Sequence, residues 1–222
     1  MKPARPPAKS GRIVLVAGAS GLVGRAILDG LLADDNVASV YALVRRPLAL
    51  RHGKLVAQVV DFAALPELPD VDETYLALGT TIAVAGSEEA FRAVDYDANL
   101  AVAEAALAAG CKRLGIVSAM GSDAASNLFY NRVKGELEEA LKAMRFSTLV
   151  VARPSLLVGN REALGQPVRR GEKLGLVASR WIGWMIPRNY RPIRATDVAA
   201  ALLRTVPASR GKHVLLSGDM QP

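Results

Sequence analysis

The chain has 222 residues, a hydrophobic share of 51%, one cysteine, two histidines and a formal net charge of +7. That hydrophobic share excludes a mostly disordered chain. The lone Cys111 excludes an internal disulfide and, with so few histidines, argues against a metal site; it fits a reducing compartment, and a cytoplasmic location is expected.

Residues 1–10, MKPARPPAKS, are basic and proline-rich with no apolar core, and read as a disordered tail rather than a signal peptide. Residues 11–222 are expected to form one domain, with 155–222 contributing a small substrate lobe. No apolar run is long enough to span a membrane.

Ile13 to Gly24 reads IVLVAGASGLVG. Five apolar residues predict a buried strand over 13–17. Glycines follow at 18, 21 and 24, and Leu22, Val23, Ile27, Leu28, Leu31 and Leu32 recur at helical spacing. Strand, glycine turn and helix form the arrangement that binds a dinucleotide. Gly18 allows the tight turn, Gly21 lets a phosphate approach the backbone, and Gly24 lets the helix pack on the strand. The helix N-terminus faces the pyrophosphate. The spacing is G-x-x-G-x-x-G rather than G-x-G-x-x-G.

Asn36 to Val44 predicts a second strand, ended by Arg45, Arg46 and Pro47. Residues 48–53 are too few for a crossover helix. Lys54 to Val60 predicts a third strand, ending at Asp61, and Thr74 to Leu78 a fourth, ending in Gly79-Thr80-Thr81. One long alanine-rich helix is expected from Glu88 to Ala109, stopped by Gly110. Lys112 to Ser118 predicts a fifth strand. A helix capped by Ser126 or Asn127 then runs to Arg145, and Phe146 to Ala152 predicts a sixth strand. Beyond it, Arg161 to Gly175 reads as loop with a short helix. Trp181 and Trp184 sit in an apolar run that fits a packed helix or a pocket wall. A helix over 195–206 and a strand over 213–217 complete the chain. This alternation predicts a doubly wound, mostly parallel α/β sheet, with the ligand beyond the carboxyl ends of its strands.

Charge is uneven: residues 145–212 carry 13 basic and 3 acidic side chains. Such a block is either a solvated face or a field for an anionic ligand, such as cofactor phosphate or an anionic substrate. It shows no nucleic-acid motif.

Tyr130 and Lys134 form a Tyr-x-x-x-Lys pair that shares one helix face. An ammonium beside a phenol stabilises phenolate, which can exchange a proton with a carbonyl or alcohol while a nicotinamide exchanges hydride. A hydroxyl should hold the substrate oxygen, and Ser118 ends the preceding strand. The second strand ends in arginines where NAD-specific folds carry a carboxylate. Arg45 and Arg46 therefore predict NADP, with NAD as the alternative.

GASGLVG, LGTT, VSAMGS, YNRVKGELE and RPSLLVG together resemble the short-chain dehydrogenase/reductase superfamily across residues 12–217. More narrowly, they are similar to its atypical Tat-interacting-protein oxidoreductase branch, whose bacterial members are often described as nucleoside-diphosphate-sugar epimerase-like. The resemblance implies an NAD(P)-binding Rossmann fold with Ser118, Tyr130 and Lys134 as the catalytic triad. It maps the phosphate turn onto Gly18, Ser20, Gly21, Leu22, Val23 and Gly24, and the adenosine side onto Arg45, Arg46, Asp61 and Phe62. The nicotinamide-ribose side falls on Leu78, Gly79, Thr80, Tyr130 and Lys134. Arg153, Pro154, Ser155 and Leu156 are expected against the nicotinamide. Many extended members place a relay asparagine early in the fourth helix; alignment on Ala103 to Ala106 puts Asp95 there, with Asn99 one turn later. The chain is also short for a sugar-nucleotide epimerase.

The reading is an NADP-dependent oxidoreductase for a small carbonyl or alcohol. A dinucleotide-binding regulatory protein and a sugar-nucleotide epimerase-like enzyme are the competing readings.

Overall fold

A computed structural model describes residues 11–158 and 187–222. The expected tail, the 161–175 loop and the Trp181/Trp184 run lie outside the described residues.

Seven strands make one all-parallel sheet: β1 Arg12–Ala17, β2 Val37–Val44, β3 Leu55–Val59, β4 Glu73–Leu76, β5 Arg113–Val117, β6 Thr148–Arg153 and β9 Gly211–Leu216. They lie in the order β3-β2-β1-β4-β5-β6-β9. A separate two-stranded pairing joins β7 Leu157–Val158 to β8 Ile193–Arg194. The sheet order reverses between β1 and β4, which opens a crevice at their carboxyl ends.

Alternation along the strands divides the core between two faces. Val14 and Val16 of β1 face helices α1 Leu22–Ala33 and α6 Ala195–Ala208, joining Ile27, Leu28, Val198 and Leu202. Ile13, Leu15 and Ala17 face the other way, against Val102, Ala103, Leu137 and Leu141. The helices there are α4 Ala98–Ala108 and α5 Phe129–Ala143. Because both faces are covered, the strands read as continuous apolar runs rather than alternating ones.

The long helix expected over 88–109 is interrupted. Helix α3 Glu88–Arg92 passes into a wider π-helical turn, Ala93–Asp97, before α4 begins. A one-turn helix, α2 Ile82–Ala85, precedes it and is capped by Thr81, whose side chain accepts the Val84 N–H. Helix α5 has Leu128 at its N-cap with no side-chain hydrogen bond. The expected cap Ser126 instead accepts the Leu128 N–H at 3.2 Å, closing the turn before the helix. The connection between β2 and β3 is irregular and short, as its length requires.

Candidate active site

The turn after β1 sets one wall of the crevice. Gly18 has φ of +92°, and a Cβ there would lie 2.4 Å from Ala77 backbone atoms, so only glycine fits. Gly24 is packed against Gly18 in turn. Gly21 is less crowded: its nearest neighbour would be the Gly18 carbonyl at 3.3 Å. Helix α1 starts there with no side-chain cap and no acidic residue in its first turn. Its first N–H groups are left for an anion, and the N-terminal dipole has the matching sign. This donor set fits a pyrophosphate.

Two adjoining hollows share Gly21, Arg45, Ala77, Leu78 and Gly79. The first, about 290 Å³, also takes Leu22, Val23, Thr80, Asp95, Ser118, Tyr130, Lys134 and Leu157. The second, about 310 Å³, takes Gly18, Ser20, Asp61 and Phe62. The expected phosphate turn, ribose side and triad thus meet at the carboxyl ends of β1, β4 and β5. Both arginines are exposed, but Arg45 lines both hollows and Arg46 lines neither.

The segment after β6 sits differently from expectation. Leu157 lines the first hollow, and Arg153 to Leu156 line neither. Arg153 is turned to Glu138, with its Nη2 at 2.6 Å from Oε2. The Pro154 carbonyl accepts the Met120 N–H, and the Ser155 hydroxyl donates to the Arg191 carbonyl. Leu156 is exposed. The Arg153 and Ser155 side chains thus tie this segment to α5 and to Arg191.

Tyr130 rests its ring on the fully buried Phe91, centroids 5.5 Å apart. One helical turn on, Lys134 is 4% exposed, and its Nζ lies 2.7 Å from Asp95 Oδ1. Burial opposes the lysine's charge. Asp95, Tyr130 and Glu138 together outweigh it, so the ammonium holds its proton above the ordinary lysine range.

Ser118 departs from the simple picture. Its hydroxyl donates to Glu138 Oε1 at 2.5 Å, and its oxygen lies 3.0 Å from the Ser122 oxygen. The one proton expected to hold a substrate oxygen is therefore directed at a carboxylate. A carboxylate paired with Arg153 is the stronger acceptor.

Glu138 was not foreseen. It is fully buried, and Tyr130, Lys134 and Glu138 form an i, i+4, i+8 ladder on α5. That spacing was the available signal.

A parallel sheet with a glycine turn at its switch point, beside a Tyr-x-x-x-Lys helix, defines a Rossmann-type protein of the short-chain dehydrogenase/reductase and epimerase class. The chain belongs to the HIM1 family, whose model matches residues 48–178. It is 34% identical over 216 residues to Protein HTATIP2 of Rattus norvegicus, covering 91% of this chain and 85% of that one. That places it in the HTATIP2-like branch of atypical members. It is 42% identical over 151 residues to Protein FMP52, mitochondrial, of Eremothecium gossypii, covering 67% of each chain. The expectation of a cytoplasmic location is overturned by that relative, which is named a mitochondrial protein.

Among solved structures, the chain resembles an oxidoreductase of the short-chain dehydrogenase/reductase family from Burkholderia thailandensis. The TM-score is 0.70 and the identity 22%, over 96% of this chain and 93% of that one. It also resembles MoeE5 in complex with UDP-glucose and NAD, with a TM-score of 0.68 and 19% identity over 91% and 74% of the two chains. At these identities the likeness speaks for the fold. Among the described residues no cluster of three or more His, Cys, Asp or Glu could hold a metal, and no helix is long and apolar enough to cross a membrane.

Proposed function

We propose that the protein is an NADP-dependent oxidoreductase that interconverts a small carbonyl and its alcohol. The observation that carries the reading is that Tyr130, Lys134 and Ser118 line one hollow continuous with the uncapped start of α1. Gly18 to Val23 would hold the pyrophosphate, Asp61 and Phe62 the adenosine side, and Leu78 to Thr80 the nicotinamide ribose. Hydride exchange is the chemistry a nicotinamide supplies at such a site.

In the reductive direction the Tyr130 hydroxyl gives its proton to the oxygen formed from the carbonyl. In the oxidative direction the phenolate takes it back, and Lys134 stabilises that anion. Ser118 holds the substrate oxygen by releasing Glu138, and Arg153 keeps Glu138 compensated when it does. Val84, in the segment after β4, gives the first hollow an apolar rim and is 63% exposed. An apolar substituent on the carbonyl suits that rim better than a sugar nucleotide does. The expected preference for an anionic substrate rests on the basic block at 145–212, much of which lies outside the described residues.

The test is NADPH oxidation with a panel of aldehydes and ketones, comparing the natural chain with Tyr130→Phe. The variant should lose about 10²–10⁴-fold in turnover, yet bind NADPH nearly unchanged because its ring still packs on Phe91. Wild-type turnover in the variant removes Tyr130 from the mechanism. Tight NADPH binding with no turnover on any carbonyl favours the regulatory reading instead.

A further inference from the structure

The π-helical turn Ala93–Asp97 breaks what would otherwise be one continuous helix. Such a turn carries an extra residue and frees carbonyls from their regular partners. Asn99 collects them: its side-chain N–H groups donate to the carbonyls of Val94 at 3.1 Å and Asp95 at 3.2 Å, and to Leu78 at 3.3 Å. One side chain thus fastens the turn to the end of β4.

The consequence is where Asp95 goes. Its side chain is 1% exposed and enters the cleft beside Gly79, where an added Cβ would meet Oδ1 at 3.4 Å and Lys134 Nζ at 3.9 Å. Asp95 Oδ1 pairs with Lys134 Nζ at 2.7 Å, and Oδ2 accepts the Thr80 N–H at 2.8 Å. Among the described residues, no other carboxylate bonds both α5 and the loop after β4. The titratable groups facing Lys134 are Asp95 from the π turn, and Tyr130 and Glu138 from its own helix.

We propose that Asp95 is a positioning residue for Lys134: it ties the ammonium to the Thr80 backbone and so holds it beside Tyr130. The inference rests on the oxidoreductase reading, in which Lys134 stabilises the phenolate. Asp95 touches no reacting atom and acts through the lysine. An ammonium buried this deeply is unstable without a counter-charge. Asp95 supplies one at 2.7 Å. Its fixed direction, set by Thr80 at the other oxygen, leaves the remaining N–H groups of Lys134 for the cofactor ribose and the phenol.

The test follows the lysine directly. Protein labelled with 13C at the lysine Cε is titrated by NMR, and the Lys134 signal is assigned from its loss in Lys134→Arg. In the wild-type chain the signal should keep its charged position through the ordinary lysine pKa of about 10.4. In Asp95→Asn it should titrate about one pH unit or more lower. The alkaline limb of NADPH turnover, where Tyr130 loses the proton it must donate, should move to higher pH in the same variant. A wild-type Lys134 that titrates at or below the ordinary value overturns the proposal without any variant. So does an Asp95→Asn signal that titrates as in wild type. Absence of turnover on every carbonyl would sink the oxidoreductase reading, yet leave the lysine titration as expected here.

Discussion

At the scale of single residues, the two arginines after β2 are not equivalent. Both are exposed, but Arg45 lines both hollows of the cleft and Arg46 lines neither. A guanidinium in the cleft wall attracts a 2′-phosphate and can bond it bidentately. Asp61, in the second hollow, is the carboxylate available to a ribose hydroxyl. NADPH is expected to bind about tenfold or more tightly than NADH, since charge-assisted hydrogen bonds contribute roughly 1.5–3 kcal/mol. Arg45→Ala should remove most of that preference and spare NADH affinity, whereas Arg46→Ala should change little. Dissociation constants for both cofactors at one fixed salt concentration decide it. Equal affinities in the wild-type protein would remove the NADP assignment.

Elements show which glycines build the turn and which serve a ligand. A Cβ at Gly24 would come within 2.0 Å of the Gly18 carbonyl oxygen, while at Gly21 the same oxygen would be 3.3 Å away. Alanine favours a helix over glycine by about 1 kcal/mol, but the clash at Gly24 is with backbone, and overpacking typically costs about 1–3 kcal/mol. Gly24→Ala should therefore lower the melting temperature clearly. Gly21→Ala should lower it less and weaken NADPH binding, because its methyl group borders the hollow. Melting curves and calorimetric titration of both variants separate the roles; equal loss of stability would contradict the division.

The same scale explains what the sequence disclosed. Strands β1, β2, β5 and β6 were legible because they are buried on both faces and bounded by Gly, Pro or charge. The Tyr130–Lys134 face was legible because helical spacing is local. The interruption at Ala93–Asp97 was not. Its residues are ordinary helix material, and the turn is stabilised by partners far along the chain: Lys134, Thr80 and Leu78. The partner of the Ser118 proton is not legible in the sequence for a related reason. Glu138 and Arg153 are both needed to draw it away, and only folding brings α5 and β6 together at that point.

For the molecule as a whole, three buried groups, Cys111, Tyr75 and Lys134, share a sign. Burial pushes the Cys111 thiol up and outweighs its hydrogen bonds to Thr74 and Arg113. Burial, reinforced by the Glu73 carboxylate, pushes the Tyr75 hydroxyl up. Lys134 is raised because Asp95, Tyr130 and Glu138 together outweigh its burial. Each group keeps its proton in the folded chain beyond the pH at which an unfolded chain releases it. The folded state then binds more protons than the unfolded one, so stability falls as pH rises. The unfolded values are about 8.5 for the thiol, 10 for the phenol and 10.4 for the ammonium. Stability should thus hold through neutrality and begin to fall above about pH 8.5, with the thiol first, at a slope approaching 1.4 kcal/mol per pH unit for one group. Cys111→Ala starts from a lower stability because it leaves a small void, but it should lose less between pH 7.5 and 9.5 than the natural chain. Urea unfolding at those two pH values measures the difference. Parallel losses in the two proteins would show that the thiol is not the first group to destabilise the fold in alkali.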